Sequence, residues 1–111
     1  MSKRAYKHFL KDISDSCRKI REYTKGMDIH SFTSDEKTFD AVIRNFEIIG
    51  EAANKLPQEI KSKYSEIPWR DMVDFRNRIT HEYFGISAEI VWNIIVNELP
   101  GVEEEINKIE D

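Results

Sequence analysis

Residues 76 to 84 read Arg-Asn-Arg-Ile-Thr-His-Glu-Tyr-Phe, which places an arginine, an amide, a histidine and a tyrosine within eight positions. Arginine is a permanent cation whose planar fork grips phosphate oxygens in bidentate fashion. Histidine gives and takes protons near neutral pH. Together they form a minimum kit for cleaving a phosphodiester without a metal. The same residue types also suit the wet side of an amphipathic helix, so residue type alone leaves both readings open.

Helical geometry constrains the kit. Asn77 and His81, four apart, share a face. Arg76 and His81 are five apart, which puts them roughly 140° around and about 7.5 Å along an ideal helix. Three things bring them together: the reach of arginine, distortion where the helix ends near Gly85, or a second copy of the helix supplied by a dimer. A groove between two copies would set two Arg–His pairs around one phosphate. There His81 is the expected general base for a ribose 2′-hydroxyl, and Arg76 holds the phosphate and its developing charge. Asn77 orients the phosphate or the histidine. The expected substrate is RNA, the expected product a 2′,3′-cyclic phosphate, and neither a metal nor a cofactor is required.

The elements that must position these residues read as helices. From Arg4 to Lys25, Tyr6, Phe9, Leu10, Ile13, Cys17, Ile20 and Thr24 recur at three- and four-residue steps, with a basic opposite side. Cys17 lies on the apolar stripe as small core filler, and Gly26 ends the helix. Met27 to Thr33 reads as a loop in which Ile29 and Phe32 tuck inward and His30 is exposed, as His8 is. Ser34 is the expected N-cap of a second long helix carrying Phe39, Val42, Ile43, Phe46, Ile49 (or Ile48), Ala53 and Leu56 to Pro57. The small residues around Gly50-Glu51-Ala52-Ala53 permit close approach of another helix, with Glu51 a surface residue or a polar neighbour of the site.

Pro57 opens a short helix to about Tyr64, and Ser65 to Pro68 forms a turn. The next helix buries Trp69, Met72, Val73, Phe75 and Ile79 and ends between His81 and Phe84, with Gly85 as its C′ residue. Ser87 caps a helix with Ile90, Val91, Ile94, Ile95 and Leu99. Pro100 begins or kinks a last segment with Val102, Ile106 and Ile109 on one face. The expected architecture is an all-α, up-down bundle of four to five main helices in a single domain, residues 1–111.

Composition agrees. The 111 residues suffice for one modest core, and only four glycines and three prolines argue against a disordered or turn-rich β chain. No apolar run approaches the ~20 residues of a membrane span. The basic N-terminus lacks the apolar stretch of a signal peptide, and a single cysteine suits a reducing, cytoplasmic setting. The net charge of −4 hides an asymmetry: residues 1–25 hold eight Lys/Arg against three Asp/Glu, whereas residues 81–111 hold one against eight. The basic end forms either a patch beside a site or a face that pairs with acidic neighbours.

Arg76-Asn77-x-x-x-His81-x-Tyr83 resembles the R-x4-H-x-Y motif of the HepT toxins in the HEPN superfamily of RNases. Ile49-Gly50-Glu51-Ala52-Ala53, Ile67-Pro68-Trp69-Arg70-Asp71 and Tyr83-Phe84-Gly85-Ile86 with Ile90-Val91-Trp92 follow the same family order, so the likeness runs from Phe39 to Leu99. The resemblance implies a homodimeric helical bundle with its site at the dimer cleft. It also implies that Arg76 and His81 are catalytic, supported by Asn77. It implies a partner as well, in a type VII-like toxin–antitoxin pair: a nucleotidyltransferase antitoxin of the MntA type that transfers AMP from ATP to Tyr83. The competing reading is a non-catalytic helical partner of such a transferase. Arg70 and Arg78 read as surface cations paired with Asp71 or Asp74, or as auxiliary phosphate contacts. Trp69 and Trp92 could stack on bases, but Trp92, among Val91, Ile94 and Ile95, reads as core or dimer packing.

Overall fold

The stripe from Tyr6 to Ile20 becomes the buried side of a 21-residue helix, α1 (Lys3–Tyr23), in a computed structural model that describes residues 3–109. Ile13, Cys17 and Ile20 on it have no exposed surface. Burial, aided by Glu103, pushes the Cys17 thiol up to about 12, which suits an inert core filler. Gly26 follows at φ 79°, the left-handed conformation that stops a helix at low cost to glycine.

Beyond it lies the first departure from the sequence reading. Residues 29–33 are not a loop but a short helix, α2 (Ile29–Thr33). Asp28 caps it reciprocally: its carboxylate accepts the Ser31 N–H at 2.8 Å, and the Ser31 hydroxyl accepts the Asp28 N–H at 2.9 Å. Phe32 anchors this turn, fully buried, with its ring 5.3 Å from Trp92 and 6.0 Å from Phe39. Ile29 stays largely exposed, as does His30. Ser34 therefore closes α2, its hydroxyl donating to the His30 carbonyl at 2.7 Å, and it does not cap the next helix. Asp35 caps α3 (Glu36–Lys55) instead, accepting the Thr38 N–H at 3.0 Å.

These N–H groups hold the Asp28 and Asp35 carboxyls below their ordinary value of 3.8. A depressed folded-state pKa stabilises the protein above the unfolded value and ceases to do so as pH falls through the folded one. The corner between α2 and α3 is therefore expected to lose its caps from about pH 4 downward. Amide signals of residues 29–38 should broaden or lose exchange protection before those of Ile43 and Ile49. Simultaneous loss across the chain would contradict this.

Pro57 caps α4 (Gln58–Lys63), and Pro68 precedes α5 (Trp69–Glu82). Trp69 fixes that start: its ring is buried and its indole N–H donates to the Tyr64 carbonyl at 3.0 Å. After Glu82 the chain tightens into a 3-10 turn, Tyr83–Gly85, with the Ile86 N–H donating to the Tyr83 carbonyl. Gly85 is thus not a left-handed C′ residue; among the described residues only Gly26 has positive φ. Ser87 caps α6 (Ala88–Asn97) as expected, and α7 (Leu99–Asn107) carries Pro100 in its first turn.

α3 is the central helix, packed between α1 on one side and α5 on the other. α7 returns to α1, and the charge asymmetry finds its use there. Arg21 on α1 grips Glu103 of α7 through two contacts of 3.2 and 3.1 Å, and Ser14 donates to Asn107 at 2.7 Å. Lys11–Asp15 and Arg18–Glu22 pair within α1. Lys11, Arg18 and Arg21 of the basic stretch thus engage carboxylates. All regular elements among the described residues are helical, five of them nine residues or longer.

Candidate active site

The antiparallel contact between α3 and α5 sets the position of Arg76. Gly50 of α3 is buried against it so tightly that a Cβ there would lie 2.1 Å from the Arg76 Cβ and 2.7 Å from the Met72 carbonyl oxygen. Absence of a side chain at position 50 is what lets α5 come this near, as the small-residue run predicts. Phe46 and Phe75 meet edge to face beside it, ring centroids 5.2 Å apart.

Arg76 leaves α5 on the α3 side, but its head turns back. Its Nη1 donates to Asn77 Oδ1 at 2.8 Å, and Asn77 shares a helix face with His81. The amide thus draws the guanidinium around α5 toward the histidine side. No carboxylate among the described residues pairs with Arg76, whereas its neighbours are both engaged. Arg70 pairs with Asp74 at 3.9 Å, as the sequence allows, and Arg78 pairs with Glu82 at 3.6 Å rather than with Asp71 or Asp74. The reason is helical: Glu82 is four residues beyond Arg78, one turn on the same face. Arg76 is therefore the half-buried arginine of α5 with no carboxylate partner among the described residues.

His81 is exposed, and its ring makes no hydrogen bond among the described residues. α5 remains α-helical through Glu82, so distortion at the helix end begins after His81 and does not swing it toward Arg76. Of the three ways to join the pair, two remain: arginine's reach, assisted by Asn77, and a second copy of the chain. Glu51 is half-buried on α3 beside Gly50.

Tyr83 faces elsewhere. Seven residues past Arg76, it returns to the α3 side, and its hydroxyl donates to the Asp40 carboxylate of α3. That hydrogen bond, followed by desolvation and the charges of Asp40, Glu47 and Glu36, pushes the phenol up to about 12. Phe84 sits edge-on to Tyr83, ring centroids 5.3 Å apart, with its own side chain 99% exposed. Thr33, Glu36, Phe39 and Asp40 line an open groove of about 380 Å³ beside these rings. Asp40 escapes sequence reasoning because it lies 43 residues from Tyr83, in a helix position with no motif signal. Trp92 packs on Phe32, away from Arg76's own contacts. Among the described residues no group of three or more His, Cys, Asp or Glu could hold a metal, and no helix is long and apolar enough to cross a membrane.

α5 of this helical bundle thus presents an arginine with no carboxylate partner among the described residues, an amide and an exposed histidine. The family model described as "Ribonuclease HepT-like" matches residues 13–109. A Methanocaldococcus jannaschii protein named "Putative RNase MJ0127" is 40% identical over 98% of this chain and 90% of its own length. "Probable ribonuclease HepT" of Thermococcus cleftensis is 36% identical over 96% of this chain and 97% of its own. The chain belongs to the HepT-like ribonuclease family. No solved structure matches it significantly.

Proposed function

We propose that this protein is a metal-independent endoribonuclease toxin, acting as a homodimer in the cytoplasm. Its antitoxin is a small nucleotidyltransferase of the MntA type that silences it by transferring AMP from ATP to Tyr83. The observation that carries the nuclease reading is the state of Arg76: unneutralised, half-buried against Gly50, and turned by Asn77 toward the His81 face. A cation kept free of carboxylates is ready for an external anion, and its fork suits phosphate.

In the proposed reaction His81 takes the proton of a ribose 2′-hydroxyl. The 2′-oxygen attacks the adjacent phosphorus and the bond to the 5′-oxygen breaks, leaving a 2′,3′-cyclic phosphate and a 5′-hydroxyl. Arg76 stabilises the charge that grows on the phosphate oxygens, and Asn77 keeps the guanidinium aimed. A second protomer would bring a second His81 to protonate the leaving 5′-oxygen. Half-buried Met72, Phe75 and Ile94 over the apolar cleft with Phe46 and Ile49 supply surface that a partner copy could cover. An adenylate on Tyr83 adds bulk and negative charge on the α3 side of α5, the side from which Arg76 leaves the helix, and so opposes RNA phosphate.

Purified protein incubated with single-stranded RNA in excess EDTA is expected to release fragments ending in 2′,3′-cyclic phosphate. Intact RNA under these conditions, or fragments with 3′-hydroxyl ends, would overturn the reading and favour the non-catalytic scaffold.

A further inference from the structure

The contact between Tyr83 and Asp40 carries an inference that rests on the reading of Tyr83 as the adenylated residue. We propose that Asp40 is the proton acceptor for that modification: it orients the Tyr83 hydroxyl and takes its proton as the phenolic oxygen attacks phosphorus.

A neutral phenol is a weak nucleophile, and nucleophiles of this kind are activated by a base within hydrogen-bond reach. Tyr83 has such a neighbour, since its hydroxyl already donates to the Asp40 carboxylate. The hydrogen bond to Asp40, desolvation and the charges of Asp40, Glu47 and Glu36 push the phenol up to about 12. In the proposed step the proton leaves as the oxygen bonds to phosphorus, and Asp40 is the group in contact with it. Asp40 is available for this, because no Lys or Arg among the described residues pairs with it. The groove lined by Thr33, Glu36, Phe39, Asp40 and Phe84 leaves the hydroxyl approachable from solvent.

The step balances without further reactants. The Tyr83 oxygen forms a bond to the α-phosphorus of ATP, and the bond from that phosphorus to the bridging oxygen breaks. Pyrophosphate leaves with the electron pair, and the phenolic proton passes to Asp40 and then to solvent. The product can no longer donate to Asp40, so the tie between the 3-10 turn and α3 is lost with the proton.

The test is a timed mass measurement of the Tyr83 peptide, with the full chain, the nucleotidyltransferase partner and ATP. Wild type, Asp40→Ala and Asp40→Glu are compared, each with and without added sodium formate. The expected result is an Asp40→Ala turnover at least about 100-fold below wild type with little change in KM for ATP. Formate or the Asp40→Glu carboxylate should restore part of it, which a purely structural tie would not allow. Equal rates for wild type and Asp40→Ala overturn the proposal alone, as does a slowed Asp40→Ala that neither formate nor glutamate restores. No AMP on the wild type overturns the Tyr83 reading and this proposal together.

Discussion

Replacing His81 with alanine is expected to lower RNA cleavage by about 10²–10⁴-fold, the usual contribution of a positioned general base. The protein should fold normally. His81 is exposed within a regular helix and makes no hydrogen bond among the described residues. Alanine is the better helix former, so the thermal midpoint should hold or rise slightly. RNA should still bind, because Arg76 and Asn77 are untouched. The loss therefore belongs in kcat, measured with saturating RNA in EDTA. Cleavage at the wild-type rate by His81→Ala would remove the histidine from the chemistry.

The second large effect comes from a residue that touches no substrate. Gly50→Ala would place a methyl 2.1 Å from the Arg76 Cβ and 2.7 Å from the Met72 carbonyl, inside the closest contact of α3 with α5. Backbone cannot yield as a flexible side chain does, so the helices must separate. Overpacking of this kind costs about 1–3 kcal/mol, against about 1 kcal/mol gained from helix propensity. Separation also moves the base of the Arg76 side chain, and a misplacement near 1 Å lowers turnover about 100-fold. The variant should thus lose activity out of proportion to its stability. A denaturant midpoint and a cleavage assay on the same sample separate the two. Normal activity in a destabilised protein would mean that Arg76 does not depend on this packing.

The helices that long stripes define were legible because burial repeats many times along them: Tyr6, Ile13, Cys17 and Ile20 on α1 and Val42, Ile43, Phe46, Ile49 and Ala53 on α3 occupy the core as their spacing requires. α2 was not, for two physical reasons. Five residues are too few to show a period, and its capping box uses serine at N3 in place of the usual glutamate or glutamine. The same ambiguity put a cap at Ser34, one position before Asp35, since either side chain can accept a helix N–H. At the site, the local relation of Arg76, Asn77 and His81 followed from helix angles. The contact of Tyr83 with Asp40 did not, because it depends on how far α5 slides along α3, and no local pattern encodes that register.

The burial of Cys17 has a practical consequence for the proposed dimer. The chain has a single cysteine, fully buried, with a thiol that ionises only near 12. Thiolates attack maleimides and thiol-directed nitroxide reagents, and a thiol held protonated in the core does not, so the native chain is a silent background for them. A cysteine placed at exposed Asn93 or Glu89 would then be the sole reactive thiol. Spin labels there could report the distance between two copies without disturbing the native core.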